Sequence, residues 1–190
     1  MIDHNHKFIF VHINRTAGTS IESHFNHRRY DHRKCSRYIK QFGADVWNEY
    51  FTFSFVRNPW NKMLGHYMWR KQIAGDTLKG DDLSFRCWVL QFENNIEGEG
   101  SLEDKGNPQY DQLFLDGVQL VDFIGRFENL QEDFNIICDK IGIPQQELPH
   151  ENKTEHKHYT EYYDDETKQI VAEKYAKDIK YFGYKFSKSH

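Results

Sequence analysis

Two arginines stand just past apolar runs, and each is followed by residues that turn the chain. The first is Arg15, in Phe8-Ile-Phe-Val-His-Ile-Asn-Arg-Thr-Ala-Gly-Thr-Ser-Ile21. The second is Arg57, in Phe53-Ser-Phe-Val-Arg-Asn-Pro-Trp60. A strand that runs into a small-residue turn and then a helix leaves backbone N–H groups unpaired, and the helix start adds partial positive charge. Thr16, Ala17, Gly18, Thr19 and Ser20 fill that turn behind Arg15. They offer hydroxyl donors at Thr16, Thr19 and Ser20 and, at Gly18, a backbone that a ligand can approach closely. The chemistry is that of an anion cradle. A Thr/Ser-capped helix following a surface arginine fits the same letters. A Walker loop does not, because it needs two glycines and a Lys-Ser/Thr pair. Arg57 narrows the choice. A second strand delivers a second arginine to the same sheet edge, and one ligand with two separated anionic groups accounts for both. A structural ion pair is the alternative for Arg57, and Trp60 reads as core.

A proton acceptor that titrates near neutrality is best sought among the eleven histidines. His32, in Tyr30-Asp-His-Arg-Lys-Cys35, lies between the two arginine motifs. His12 at the strand end, and His24 and His27 on a helix surface, are its rivals. His4/His6 and His156/His158 lack convergent cysteines or carboxylates at a metal-binding spacing and read as solvated, so no metal site is expected. Arg28, Arg29, Arg33, Lys34, Arg37 and Lys40 crowd a short stretch that holds a single acid, Asp31. That basic run fits an acidic acceptor and, more simply, a solvated helix face.

The elements that must position these residues are legible from periodicity. Phe8 to Ile13, Tyr50 to Val56 and Leu120 to Phe127 read as strands. Helices are expected from Gly18 to Phe25, Trp60 to Gln72, Leu83 to Phe92, Glu128 to Ile141 and Asp165 to Lys177, with Pro59 opening the second and Gly142 ending the fourth. Apolar strands alternating with helices predict an α/β domain, a central parallel sheet flanked by helices. In such folds ligands bind beyond the carboxyl ends of the strands, where both arginines fall.

The 190 residues, 16% aromatic and 28% charged, predict one globular domain over residues 1–190. A formal net charge of −4 excludes a global basic field for nucleic acid. The three cysteines are odd in number and form no C-x-x-C, which suits free thiols in a reducing compartment. No apolar run approaches membrane-spanning length and the opening residues lack a signal core, so a soluble, cytoplasmic protein is expected.

With these motifs in view, the sequence resembles the carbohydrate-type (family 2-like) sulfotransferases that use 3′-phosphoadenosine-5′-phosphosulfate (PAPS). HINRTAGTS resembles that family's H-I-P-K-T-A-G-T-S loop, which binds the 5′-phosphosulfate. FSFVRNPWNKMLGHY resembles its F-x-F-V-R-N-P-W-D-R-L-V-S-x-Y segment, which binds the 3′-phosphate. VDFIGRFENLQEDF, HENKT and YYDDETKQIVAEKYAKDIKYFGYKF continue the likeness in order to Phe186. The resemblance implies a P-loop-like three-layer domain and an enzyme moving a sulfuryl group from PAPS to a hydroxyl, in all expectation on a carbohydrate, with no metal required. It implies that backbone amides from Thr16 to Ser20, with the hydroxyls of Thr19 and Ser20, hold the phosphosulfate. Arg57 then takes the 3′-phosphate. Arg15 stands where the family has a lysine that stabilises the departing phosphate. His32 matches the histidine of a K-H-x-T-A segment placed near the acceptor, and so is the expected general base. Gly65 stands where the family has a serine on the 3′-phosphate. A non-catalytic binder of adenosine 3′,5′-bisphosphate is the runner-up. A small-molecule kinase is disfavoured by the missing Walker Lys-Ser/Thr. Acceptor loops are expected at Gly75 to Asp82 and Asn94 to Asn107.

Overall fold

Strands and helices alternate as the periodicity predicts, over the residues that a computed structural model describes: 1–27, 32–74, 84–92, 107–149 and 156–188. In chain order these are β1 (Ile2–Asp3), β2 (Phe8–Val11), α1 (Gly18–His24), α2 (Cys35–Phe42), α3 (Ala44–Glu49), β3 (Phe51–Val56), α4 (Pro59–Ala74) and α5 (Phe85–Phe92). After them come α6 (Gln109–Leu113), β4 (Phe114–Leu115), β5 (Val118–Gln119), β6 (Phe123–Arg126), α7 (Leu130–Ile141), α8 (Asp165–Lys174) and α9 (Ala176–Phe182). The described residues of Met1–Arg57 and Gln109–Asn152 group into one compact unit, and those of Asn58–Pro108 and Lys153–His190 into another. The sequence leads one to expect a single domain, and the described residues form two compact units.

The first unit is built on a mostly parallel sheet of order β1-β2-β3-β6. β2 pairs with β3 and β3 with β6 in parallel, and β1 adds an antiparallel edge. All of β2 is buried, as is β3 from Thr52 onward, which is why both strands lack polar alternation. Phe8, Phe10, Phe53 and Phe55 form the aromatic centre of the core, with Phe10 and Phe53 stacked at 5.1 Å. Ile21 of α1 and Phe134, Ile137 and Cys138 of α7 cover that centre. Each buried phenylalanine contributes roughly 1.5–3 kcal/mol of burial free energy. Gly125 in β6 is required by this packing, since a β-carbon there would stand 2.5 Å from the Phe55 ring. The buried hydroxyl of Ser54 donates to the Val11 carbonyl at 2.7 Å, so the core holds no unmet polar group at that point.

The third predicted strand is shorter than expected. Leu120 donates its N–H to the Leu113 carbonyl and extends the β4–β5 hairpin, so β6 begins only at Phe123. α7 likewise starts at Leu130, after a single 3₁₀ turn over Phe127–Asn129, and stops at Gly142 in the left-handed region, φ 74°.

In the second unit α4, α5 and α8 pack around Trp60, Met63, Leu64, Tyr67, Phe85, Val89, Val171 and Tyr175. The Asn58 side chain accepts from the Trp60 N–H at 3.1 Å and caps α4. Asp164 and Thr167 form a capping box on α8, and Arg86 of α5 pairs with Asp164 and Glu166. The helix predicted from Asp165 to Lys177 breaks at Tyr175 into α8 and α9. All three cysteines are free. Among the described residues no helix is long and apolar enough to cross a membrane.

Candidate functional site

β2, β3 and β6 run parallel, so their carboxyl ends share one edge of the sheet. The segment after β2 is strained there. Arg15 and Ala17 both have left-handed backbones, φ 62° and 67°, although neither is glycine. Such conformations cost on the order of 1–3 kcal/mol each and persist only where the surroundings hold them. Part of that hold is Thr16, which is fully buried and whose hydroxyl donates to the Ile13 carbonyl at 2.7 Å. The Thr16 hydroxyl proton is therefore committed inside the turn, and what Thr16 can offer a ligand is its backbone amide. Ala17 is the N-cap of α1, with no side-chain cap hydrogen bond. The reading of this stretch as a Thr/Ser-capped helix therefore does not hold. Thr19 is half-buried and Ser20 buried.

Gly18 differs from expectation. The space beside its α-carbon is filled by His12, and a β-carbon there would lie 1.9 Å from His12 Cδ2. The missing side chain makes room for a ring of the protein itself. That ring is held firmly: His12 Nδ1 lies 2.9 Å from Glu22 Oε1, and only 2% and 1% of the two side chains are exposed. His12 also stacks on Phe10. It is thus a packed residue of the strand end, as its position suggested. Glu22 was not anticipated. Its partner stands ten residues earlier across a strand-to-helix turn, a separation that no local period marks.

His32 lies beside this pair. Its Nδ1 is 3.3 Å from the His12 carbonyl oxygen, and its ring meets the His12 ring edge-on at 4.3 Å. A carbonyl only accepts, so Nδ1 carries the proton and a neutral His32 keeps its Nε2 lone pair. His24 packs instead against Phe25 and Phe134, and burial pushes its pKa down. His27 is half-buried beyond the end of α1. Arg28 and Arg29 lie outside the described residues. Arg37 and Lys40 of the same basic run are exposed on or beside α2 residues, and Arg33 donates to Gln41 at 2.6 Å.

The two arginines are held differently. Arg15 is half-buried, and its Nε is fully buried without an acceptor among the described residues. Burial pushes the guanidinium pKa down. Arg57 is 7% exposed and is held at its backbone and at its guanidinium tip. Its guanidinium carbon sits 3.9 Å over the Phe127 ring, and Nη1 donates to the Arg15 carbonyl at 3.1 Å. Its backbone N–H donates to Gln109 Oε1 at 2.8 Å, and Gln109 Nε2 donates to its carbonyl at 2.9 Å. Phe127 and Gln109 were also unforeseen. Both come from distant segments, and neither residue type advertises such a role.

Chemically, this edge offers two cations, a strained run of amides and one imidazole nitrogen, a set suited to an anion and a proton transfer. Gly65 is buried within α4. The proposed acceptor loops at 75–82 and 94–106 lie outside the described residues. Among the described residues no group of three or more His, Cys, Asp or Glu could hold a metal ion.

Residues 1–185 match the model of a protein family described as the sulfotransferase family. Among curated proteins, an uncharacterized protein of Archaeoglobus fulgidus is 33% identical over 104 residues, which is 55% of this chain and 78% of that protein. No solved structure matches.

Proposed function

Since the chain belongs to the sulfotransferase family, we propose that it moves a sulfuryl group from PAPS to a hydroxyl acceptor, on a carbohydrate, through a P-loop-like turn after β2. Members of the family generally take PAPS as donor. The observation that carries the reading is Arg15: a cation in the left-handed turn after β2, whose Nε is buried without an acceptor among the described residues. A desolvated cation without a counter-charge is costly, and an anionic ligand meets that demand.

In this reading the amides of Thr16, Ala17, Gly18, Thr19 and Ser20 hold the 5′-phosphosulfate, with the hydroxyls of Thr19 and Ser20. Arg57 binds the 3′-phosphate. The acceptor oxygen attacks sulfur in line while the bond from sulfur to the phosphate oxygen breaks. Its proton passes to His32 Nε2, the ring nitrogen opposite the one that faces the His12 carbonyl. Arg15 stabilises the charge that develops on the leaving phosphate. The chemistry is positioning and electrostatics, as in phosphoryl transfer. His32→Ala should slow transfer by about 10²–10⁴-fold, as for loss of a positioned base, with donor binding preserved.

The first test is thermal unfolding with adenosine 3′,5′-bisphosphate, AMP or ATP. A ligand that binds the folded chain raises the midpoint by mass action. The bisphosphate should raise it most, and equal or greater stabilisation by ATP with magnesium would overturn the assignment. Labelled-sulfate transfer from PAPS to a panel of hydroxylated acceptors follows. The alternative of a non-catalytic bisphosphate binder rests on Arg15 itself, a wide planar fork where the family has a compact lysine. Strong binding without transfer to any acceptor would favour it, and Arg15→Lys should then restore turnover.

A further inference from the structure

We propose that Gln109 is a positioning residue for the ligand's 3′-phosphate, acting through the backbone of Arg57; the inference rests on the reading of Arg57 given above. β3 ends at Val56, whose ladder partner is Arg126. Arg57 is one residue further on, beyond the ladder, and is buried. Its N–H and C=O therefore need partners that the sheet does not give. The carboxamide of Gln109 supplies both, accepting from the N–H at 2.8 Å and donating to the carbonyl at 2.9 Å. Gln109 is itself fully buried. One side chain thus stands in for the neighbouring strand that Arg57 lacks.

Two opposed hydrogen bonds fix the peptide groups on either side of the Arg57 α-carbon, and so fix the direction in which its side chain leaves. Phe127 then supports the guanidinium from one face and the Arg15 carbonyl holds Nη1. Gln109 sets the root of the side chain, and the other two set its tip. The residue type is specific. Asparagine is one methylene too short to reach both groups. Glutamate can accept from the N–H, but its ionised form has no proton for the carbonyl. Gln109 is also the residue at which the chain re-enters the first unit, having left it after Arg57. The clamp joins the chain's exit to its return.

The test compares the binding of adenosine 3′,5′-bisphosphate and of AMP, which lacks the 3′-phosphate, by calorimetry. Gln109→Glu and Gln109→Asn should each weaken the bisphosphate by about tenfold while changing AMP by less than about twofold, as a misaimed charge-assisted hydrogen bond would. In an Arg57→Ala background the same substitutions should have no further effect on the bisphosphate, because the contact they aim is already gone. Circular dichroism and the unfolding midpoint identify the variants that fold, and the two substitutions give independent chances of one that does. Equal losses for the two ligands, or additive losses in the Arg57→Ala background, would reduce Gln109 to a structural residue and overturn the proposal. Failure of the underlying reading looks different. Arg57→Ala alone would then weaken both ligands equally, and Gln109 would fall with it. A selective Arg57→Ala beside unselective Gln109 variants would sink the Gln109 inference alone.

Discussion

β2 and β3 are neighbours in one sheet, and each runs into an arginine, yet the protein treats the two arginines in opposite ways. At the end of β3 Arg57 is held at several points by its own unit: Gln109 on its backbone, Phe127 under its guanidinium, the Arg15 carbonyl at its tip. At the end of β2 the backbone is left-handed at Arg15 and Ala17, α1 has no side-chain cap, and Arg15 Nε is buried without an acceptor among the described residues. One arginine is fixed by contacts at its root and tip, and the other follows a left-handed, uncapped turn. On the function proposed above, selectivity belongs to the first, where geometry is fixed, and the larger ligand-dependent stabilisation to the strained second.

Substitutions at the two ends sharpen or break this contrast. The largest effect is expected at Arg15. Arg15→Ala should lower the rate of labelled-sulfate transfer by about 10²–10³-fold, as removal of one preorganised donor does. Arg15→Met, which keeps bulk and removes the charge, should raise the midpoint of the ligand-free protein, at roughly 2–4 °C per kcal/mol regained. A fall in that midpoint would show the guanidinium to be already compensated, and the contrast would collapse. Next comes Gly18→Ala, which drives a β-carbon into the His12 ring. Urea titration should show a loss of about 1–3 kcal/mol or more, as for other overpacked sites. A parental midpoint would mean that His12 gives way freely. Arg57→Ala should cost the bisphosphate roughly 1.5–3 kcal/mol in affinity, the range for hydrogen bonds to charged groups, and AMP much less. Uniform losses would make Arg57 a brace of the neighbouring loop and nothing more. The smallest change is expected from Ala17→Gly. Relief of the left-handed strain should stabilise the ligand-free chain by less than about 1 kcal/mol, since glycine's own entropy opposes the gain. Destabilisation would argue that the loop is not strained at all.

Much of this arrangement could be read in advance, because the informative residues are local. Phe8 to Val11 and Phe51 to Val56 are continuous apolar runs, and only a strand buried on both faces needs them. Arg57 follows its run directly and Arg15 stands four residues past Val11, so their shared edge came from counting along the chain. What escaped notice depends on separation or on weak signals. Glu22 reaches His12 across a turn, Gln109 reaches Arg57 over more than fifty intervening residues, and Phe127 comes from the far end of β6. The packing of Gly18 against His12 gave no signal, because a glycine looks the same whether it admits a ligand or a neighbouring ring. The hairpin of β4 and β5 was overlooked for a different reason. Its turn, Asp116-Gly117, has φ 50° and 82° and carries the usual hairpin letters, but its strands have two residues each and show no alternation.

The order of strands has a consequence for how the chain is made. β3 lies between β2 and β6, but residues 58–108 separate it in sequence from α6, the hairpin and β6. During synthesis β2 and β3 emerge early, while the strand that covers the second edge of β3 comes about 70 residues later, a delay of several seconds at about 5–20 residues per second. α7, which covers Phe8, Phe10, Phe53 and Phe55, emerges later still. Through that interval the growing chain has a half-built sheet with an open edge and an aromatic centre that lacks its α7 cover, features that invite pairing with other chains. The danger of aggregation is therefore set by the order in which the segments are encoded, and it peaks before the finished fold exists.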